Sequence, residues 1–282
     1  MPDARDRYLR QQIELGGAEV LLSAAPLPGE RRVPPPASPE PPPAAESVTP
    51  AEAGASLSPR RKPGQAAAQG NWRKGAPPIP GPGISVQSPP VPLVGDALAG
   101  LDTLDAVAER IRGTFCCGLC PARTQAVPGE GSPTARMVLV GEGPGATEDE
   151  TGRPFVGAAG KLLDDILGAI ELRREDVFIC NVVKCRPPQN RRPLPDEVAA
   201  CIPYLHRQLA ILRPKVIVTL GGTAAEALLQ SKQALGQFRG KVHHYDGIPV
   251  VATYHPAALL RNPNWKKPTW DDVRIARQLL DQ

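Results

Sequence analysis

The parts of this 282-residue chain with the means to do chemistry are its six cysteines and a few polar residues that end apolar runs. Cys117 and Cys120 form a C-x2-C pair, Cys185 follows an apolar run, and Cys201 lies sixteen residues beyond it. Two such pairs, distant in sequence, can meet as four thiolates, a donor set suited to zinc or to an iron–sulfur cluster. Spacing alone does not separate the two. Cys180, inside "FICNVV", reads as a core residue, and Cys116 as a bystander to Cys117.

A second group surrounds Val140 to Leu163, "VGEGPGATEDETGRPFVGAAGKLL". A phosphate loop is the first hypothesis to test, and it fails. "GRPFVGAAGKLL" places Leu162 where the Walker motif needs Ser or Thr, and Phe155 where its first glycine belongs. "GEGPGA" has its third glycine one position early for a dinucleotide loop, and Glu142, Glu148, Asp149 and Glu150 would repel a bare phosphate. What remains is a loop shaped for close approach, with Phe155 standing outside any apolar periodicity. A phenylalanine so placed is a plug into the core or a stacking platform. Asn181 ends one apolar run and His255 another, in company that makes them candidates for binding and catalysis. His243 and His244, in "KVHHYDG", read as solvated hairpin residues, and His206 as one more helix position.

These residues need a scaffold, and the pattern supplies one. "ARMVLVG", "DVFICNVV", "PKVIVTLGG" and "IPVVATYHP" read as strands; "GKLLDDILGAIEL", "LPDEVAACIPYLHRQLAIL", "TAAEALLQ" and "TWDDVRIARQLLDQ" read as helices between and after them. "LAGLDTLDAVAERIRG" is a further helix ahead of the first strand. Alternating strands and helices predict an α/β fold: a three-layer sandwich whose central, mainly parallel four-stranded sheet is flanked by helices. Ligands of such sheets bind at the carboxyl ends of the strands. Those ends here carry Gly141–Gly145, Asn181–Cys185 and His255-Pro256.

Twenty of the 35 prolines precede Leu93. Segments such as "RRVPPPASPEPPPAAE" carry too few large apolar residues to offset the entropy of ordering. Residues 1–95 are therefore expected to be a disordered Pro-rich region, linker to about Pro92, with a short helix possible near Asp6 to Ser23. The expected globular domain is 96–282. A net charge of +4 and a pI near 8.8 permit an anionic partner without demanding one. No apolar run is long enough to span a bilayer, and the start lacks the apolar core of a signal peptide. The expectation is a soluble, cytoplasmic protein in which cysteines are reduced or metal-bound.

"GEGPGATEDETGRPFVGAAGKLLD", "NVVKCRPPQNRRPLPDE" and "YHPAALLRNP", with "CGLC" ahead of them, closely resemble the family-four uracil-DNA glycosylases, the iron–sulfur members of the uracil-DNA glycosylase superfamily. The resemblance runs from about Cys117 to the end. It implies Cys117, Cys120, Cys185 and Cys201 as ligands of a structural 4Fe-4S cluster. It implies that Phe155 stacks on a flipped uracil and that Asn181 reads the base edge. Gly141 and Gly143 would contact the base, His255 would face the leaving group, and Glu142 would hold the attacking water, with Glu148 and then Asp149 as substitutes. The family's loop more often reads Gly-Glu-Ala-Pro-Gly, so Gly143 is a small departure. Some superfamily members trap the deoxyribose covalently, using a histidine in an Arg-rich insertion. "RPPQNRRPLP" has neither insertion nor histidine, which argues for turnover. A non-catalytic iron–sulfur DNA-binding module would not need the pocket residues, all of which are present.

The expected partner is uracil-containing DNA, single- or double-stranded, met at the nucleoid by a monomer of bacterial type; the tail's partner is left open. Arg186, Arg191, Arg192, Arg261, Lys266 and Lys267 form a basic rim suited to phosphates. The amide of Asn181 can accept from uracil N3–H while donating to O4, whereas cytosine presents the reverse order. His255 and backbone N–H groups would stabilise charge developing on O2 of the departing base.

Overall fold

The computed structural model of the protein describes residues 72–88 and 98–282; the possible helix near residues 6–23 lies outside the described residues. In chain order the elements are β1 (Pro82–Val86), α1 (Leu104–Gly113), β2 (Glu130–Gly131), β3 (Met137–Gly141), α2 (Ala146–Thr151), α3 (Ala158–Ala169), β4 (Phe178–Asn181) and α4 (Pro195–Leu212). There follow β5 (Val216–Leu220), α5 (Gly222–Leu229), α6 (Leu235–Phe238), β6 (Val242–Tyr245), β7 (Ile248–Thr253), α7 (Pro256–Arg261) and α8 (Lys266–Asp281). Short 3-10 turns lie between several of them.

β3 and β5 are buried along their whole length, as strands covered on both faces must be. Alternation along β3 divides the core into two layers. Met137 and Leu139 meet Leu163 and Leu167 of α3 and Val273, Ala276 and Leu280 of α8. Val138 and Val140 meet Leu205 and Leu209 of α4 and Ala224 and Leu228 of α5. Each large aliphatic side chain so buried contributes about 1.5–3 kcal/mol. α1 adds a smaller cluster, packing Val107 and Ile111 with Tyr204 of α4. Thr103 starts α1 by accepting the Ala106 N–H at 3.1 Å, and proline at the first turn starts α4 and α7.

The sheet has seven strands in the order β1-β6-β7-β5-β3-β4-β2, not four. The four expected strands form its parallel centre, β7-β5-β3-β4. β2, two residues long, pairs antiparallel with β4, and β6 pairs antiparallel with β7 across the turn at Asp246-Gly247. β1 pairs parallel with β6. This last strand comes from the segment read as linker to about Pro92, so the ordered body reaches further toward the N-terminus than residue 96.

His243 explains why β1 is held. It is buried, not solvated: Nδ1 accepts the Ile84 N–H at 2.9 Å, and Nε2 faces the Phe238 carbonyl at 2.7 Å. A neutral ring donating from Nε2 satisfies both partners, and burial shifts its pKa downward accordingly. The ring lies so close to Gly83 that a Cβ there would meet Nδ1 at 2.4 Å. Upstream, Trp72 is buried in the α8-side core, Arg73 pairs with Asp281 at 2.7 Å, and Gln278 donates to the Pro77 carbonyl. Among the described residues no helix is long and apolar enough to cross a membrane.

Candidate active site and thiol cluster

A cleft of about 590 Å³ opens at the carboxyl ends of β3, β4, β5 and β7, with Glu142, Gly143, Phe155, Asn181, Tyr254 and His255 in its lining. Gly141 and Asn181 are register partners at the ends of β3 and β4. Pairing continues past them through Val182 N–H to Gly141 O and Val183 N–H to Glu142 O, which fixes both loops. Asn181 is 1% exposed, and its Oδ1 is buried with no hydrogen-bond partner among the described residues. A Cβ at Gly141 would lie 2.4 Å from that oxygen and 2.6 Å from Cζ of Phe155. The glycine is thus the space in which amide and ring converge.

Lys184, not singled out in the sequence, holds Asn181 from behind. Its buried ammonium donates to the Asn181 carbonyl at 2.8 Å and to Gln208 Oε1 at 2.7 Å, and Gln208 donates onward to the Pro128 carbonyl. Burial pushes its pKa downward.

Phe155 is both plug and wall. It is 5% exposed and belongs to the α3-side core, while its ring stacks on His255 with centroids 5.3 Å apart. Its φ of 52° is left-handed, a conformation costing a side-chain-bearing residue of order 1–3 kcal/mol. The neighbours hold it there. Arg174 donates to the carbonyls of Pro154 and Phe155, and Glu148 accepts the N–H groups of Val156 and Gly157, each at 2.9 Å.

The second oxygen of Glu148 accepts the Gly145 N–H at 3.2 Å. With three backbone donors engaged, Glu148 ties the GEGPG loop to the Phe155 loop while also lining the cleft. Asp149 is buried and accepts the Thr124 N–H, outside the cleft lining. Glu142 is freer: Thr223 donates to its Oε2 at 2.5 Å, and no protein group bonds its other oxygen among the described residues.

His255 caps α7, its Nδ1 accepting the Ala257 N–H at 3.2 Å. The proton of the neutral ring therefore sits on Nε2. Burial, and secondarily the charge of Arg261, pushes the pKa down to about 4. The imidazole is a neutral donor at ordinary pH.

The rim is less uniformly basic than its composition. Arg191 is bound bidentate to the buried Glu197, at 2.6 and 2.8 Å, and Arg192 to Glu226. Both are tied to carboxylates of the fold, though Arg191 keeps a partly exposed side chain at the cleft. Arg186 donates to Asn190 and Lys267 pairs with Asp271, while Arg261 and Lys266 are exposed and have no bonded acceptor among the described residues. Leu260, 51% exposed beside Arg261, and Trp265, stacked on Tyr254 at 4.6 Å, complete this edge.

The thiols gather in a second cluster. Cys117 lies between α1 and the 3-10 turn Cys120–Ala122, Cys185 four residues after β4, and Cys201 in α4. Sulfur–sulfur distances are 3.8 Å for Cys117–Cys120 and 3.7 Å for Cys120–Cys185. Cys116 is no bystander: its sulfur is 4.0 Å from that of Cys120 and 3.9 Å from that of Cys201. The Cys116 contact pulls the Cys201 thiol below its ordinary pKa, against the opposing effect of burial. None of the described cysteines is paired as a disulfide, and Arg123 donates to Cys185 at 3.2 Å. Clustered soft donors beside a guanidinium suit a metal or metal–sulfur centre of negative net charge.

The sequence profile of the Uracil DNA glycosylase superfamily matches residues 128–276, more than half of the chain, and the protein belongs to that superfamily. Within it, similarity is strong to the type-4 uracil-DNA glycosylase of Sulfurisphaera tokodaii, 46% identical over 64% of this chain and 86% of the relative. The type-4 enzyme of Thermotoga maritima is 48% identical over 64% of this chain and 95% of its own. The type-5 uracil-DNA glycosylase of Thermus thermophilus is 35% identical over 48% of this chain and 70% of its own. The chain is accordingly a member of the type-4 family.

Proposed function

We propose that this protein excises uracil from DNA, hydrolysing the N-glycosidic bond to leave an abasic site for base excision repair. The observation that carries the proposal is the orphaned Oδ1 of Asn181, buried in a cleft between a glycine and an aromatic ring. Uracil N3–H is a donor that fits it, and the Asn181 amide N–H2 would meet O4. Cytosine would leave both unpaired, at about 1–3 kcal/mol each.

The target nucleotide must leave the stack, at a cost of a few kcal/mol. Arg261 and Lys266 would offset it through phosphate contacts, and Leu260, exposed on the same edge, would fill the gap left in the duplex. The everted base enters beside Phe155, a stacking surface worth about 1–3 kcal/mol. As the bond breaks, negative charge grows on O2, where the Nε2–H of neutral His255 and the loop N–H groups donate. Glu142, steadied by Thr223, orients the water and favours the positive sugar. Cys117, Cys120, Cys185 and Cys201 would hold the 4Fe-4S cluster, which supplies a structural clamp and no redox step. A cytoplasmic monomer acting at the nucleoid goes with this reading.

The test uses a labelled oligonucleotide with one uracil, incubated with the protein and then with alkali. Strand scission only after alkali is expected; no scission, or scission without alkali, refutes monofunctional excision.

A further inference from the structure

Five sulfurs, not four, form the thiol cluster. Of the adjacent pair Cys116–Cys117, it is Cys116 whose sulfur touches that of Cys201, at 3.9 Å, and it also touches Cys120 at 4.0 Å. Cys117 touches Cys120 at 3.8 Å, and the sulfurs of Cys116, Cys117 and Cys201 all lie within 4.8 Å of one another. The segment between α1 and the 3-10 turn at Cys120 therefore presents two thiols to the same two buried partners. Leu119, 1% exposed, anchors the segment beside them. We propose that Cys116 is a reserve ligand of the metal centre, able to take the corner that Cys117 vacates. The proposal rests on the reading of the cluster as an iron–sulfur site.

The chemistry is ligand exchange without change of oxidation state. In that exchange Cys117 would be released and protonated, while Cys116 would give its proton to solvent and take the vacated corner. A thiolate on iron is the ligand in both arrangements. C-x2-C and C-x3-C spacing are both available from this one stretch, because Cys120 is common to both. A vicinal pair of this kind would let the centre survive oxidation or alkylation of one corner thiol.

The test is made on the full chain, purified anaerobically and reconstituted with ferrous iron and sulfide: wild type, Cys116→Ala, Cys117→Ala and the double variant. Iron and acid-labile sulfide per protein, and absorbance near 400 nm, are measured. Each single variant is expected to keep more than half of the wild-type iron, and the double variant to lose at least five-fold. A Cys117→Ala protein as poor in iron as the double variant, or insoluble while Cys116→Ala is soluble, overturns the proposal. So does a double variant that keeps as much as Cys117→Ala. A wild-type protein without iron or sulfide would instead refute the iron–sulfur reading beneath it.

Discussion

Replacing Asn181 by alanine should separate activity from stability. Its Oδ1 is buried and unbonded among the described residues, so the amide carries a desolvation cost that a bound base would relieve. Relieving it is worth about 1–3 kcal/mol, and about 1.4 kcal/mol is tenfold, giving about 5- to 150-fold from the acceptor alone. The donating end of the amide adds a second bond of like size, so uracil release should fall at least about 25-fold. Stability moves differently. At 1% exposure, Asn→Ala leaves a small cavity but also deletes the orphaned carbonyl. The two nearly cancel, and a net change under about 1 kcal/mol shifts Tm by about 2–4 °C in a domain of this size. Single-turnover release from a uracil-containing oligonucleotide and a thermal melt are the two assays. A rate within threefold of wild type would show that Asn181 does not read the base. A melt lowered by more than about 10 °C would make it a structural residue and remove the main support for the pocket.

Gly141→Ala places a methyl 2.4 Å from Asn181 Oδ1 and 2.6 Å from Phe155 Cζ, so one must move by the better part of an ångström; displacement on that scale costs about 100-fold in rate, to be read in kcat/KM. His255, with its pKa pushed down to about 4, stays neutral through the working range, so the rate should show no histidine inflection between pH 5 and 8; one near 6.5 contradicts the assignment. The same depression makes its neutral state a contribution to stability that is complete above the unfolded value and is lost as pH falls through the folded one. Arg261→Gln should lower the salt dependence of DNA binding by about one counterion, measured as the slope of log K against log salt. Arg191→Gln should barely change that slope but lower Tm, because it strips the buried Glu197 of its bidentate partner.

Much of this architecture is written locally. The central strands are uninterrupted apolar runs, and Asn181 and His255 stand out because each ends one. Gly141 to Gly145 announce close backbone approach by composition alone. What escaped are features whose partners are remote. β1 is five residues in a Pro-rich segment, and nothing near it signals pairing with β6 about 160 residues away. His243 looks like a turn residue until the Ile84 N–H supplies its acceptor role. Nothing local singles out Lys184, whose buried ammonium finds its acceptors in the Asn181 carbonyl and in Gln208, 24 residues away. Glu148 and Arg191 carry charges that composition assigns to water and DNA, and the fold uses both to hold loops.

Trp72 and β1 bear on how the protein should be handled. A clone begun at residue 96, where composition invites a cut, would leave the backbone groups of β6 open on one side and a tryptophan-sized hole beside α8. Open strand edges recruit other chains. Such a shortened protein would be sticky for reasons unrelated to its catalytic centre, and its poor behaviour would say nothing about the chemistry at Asn181.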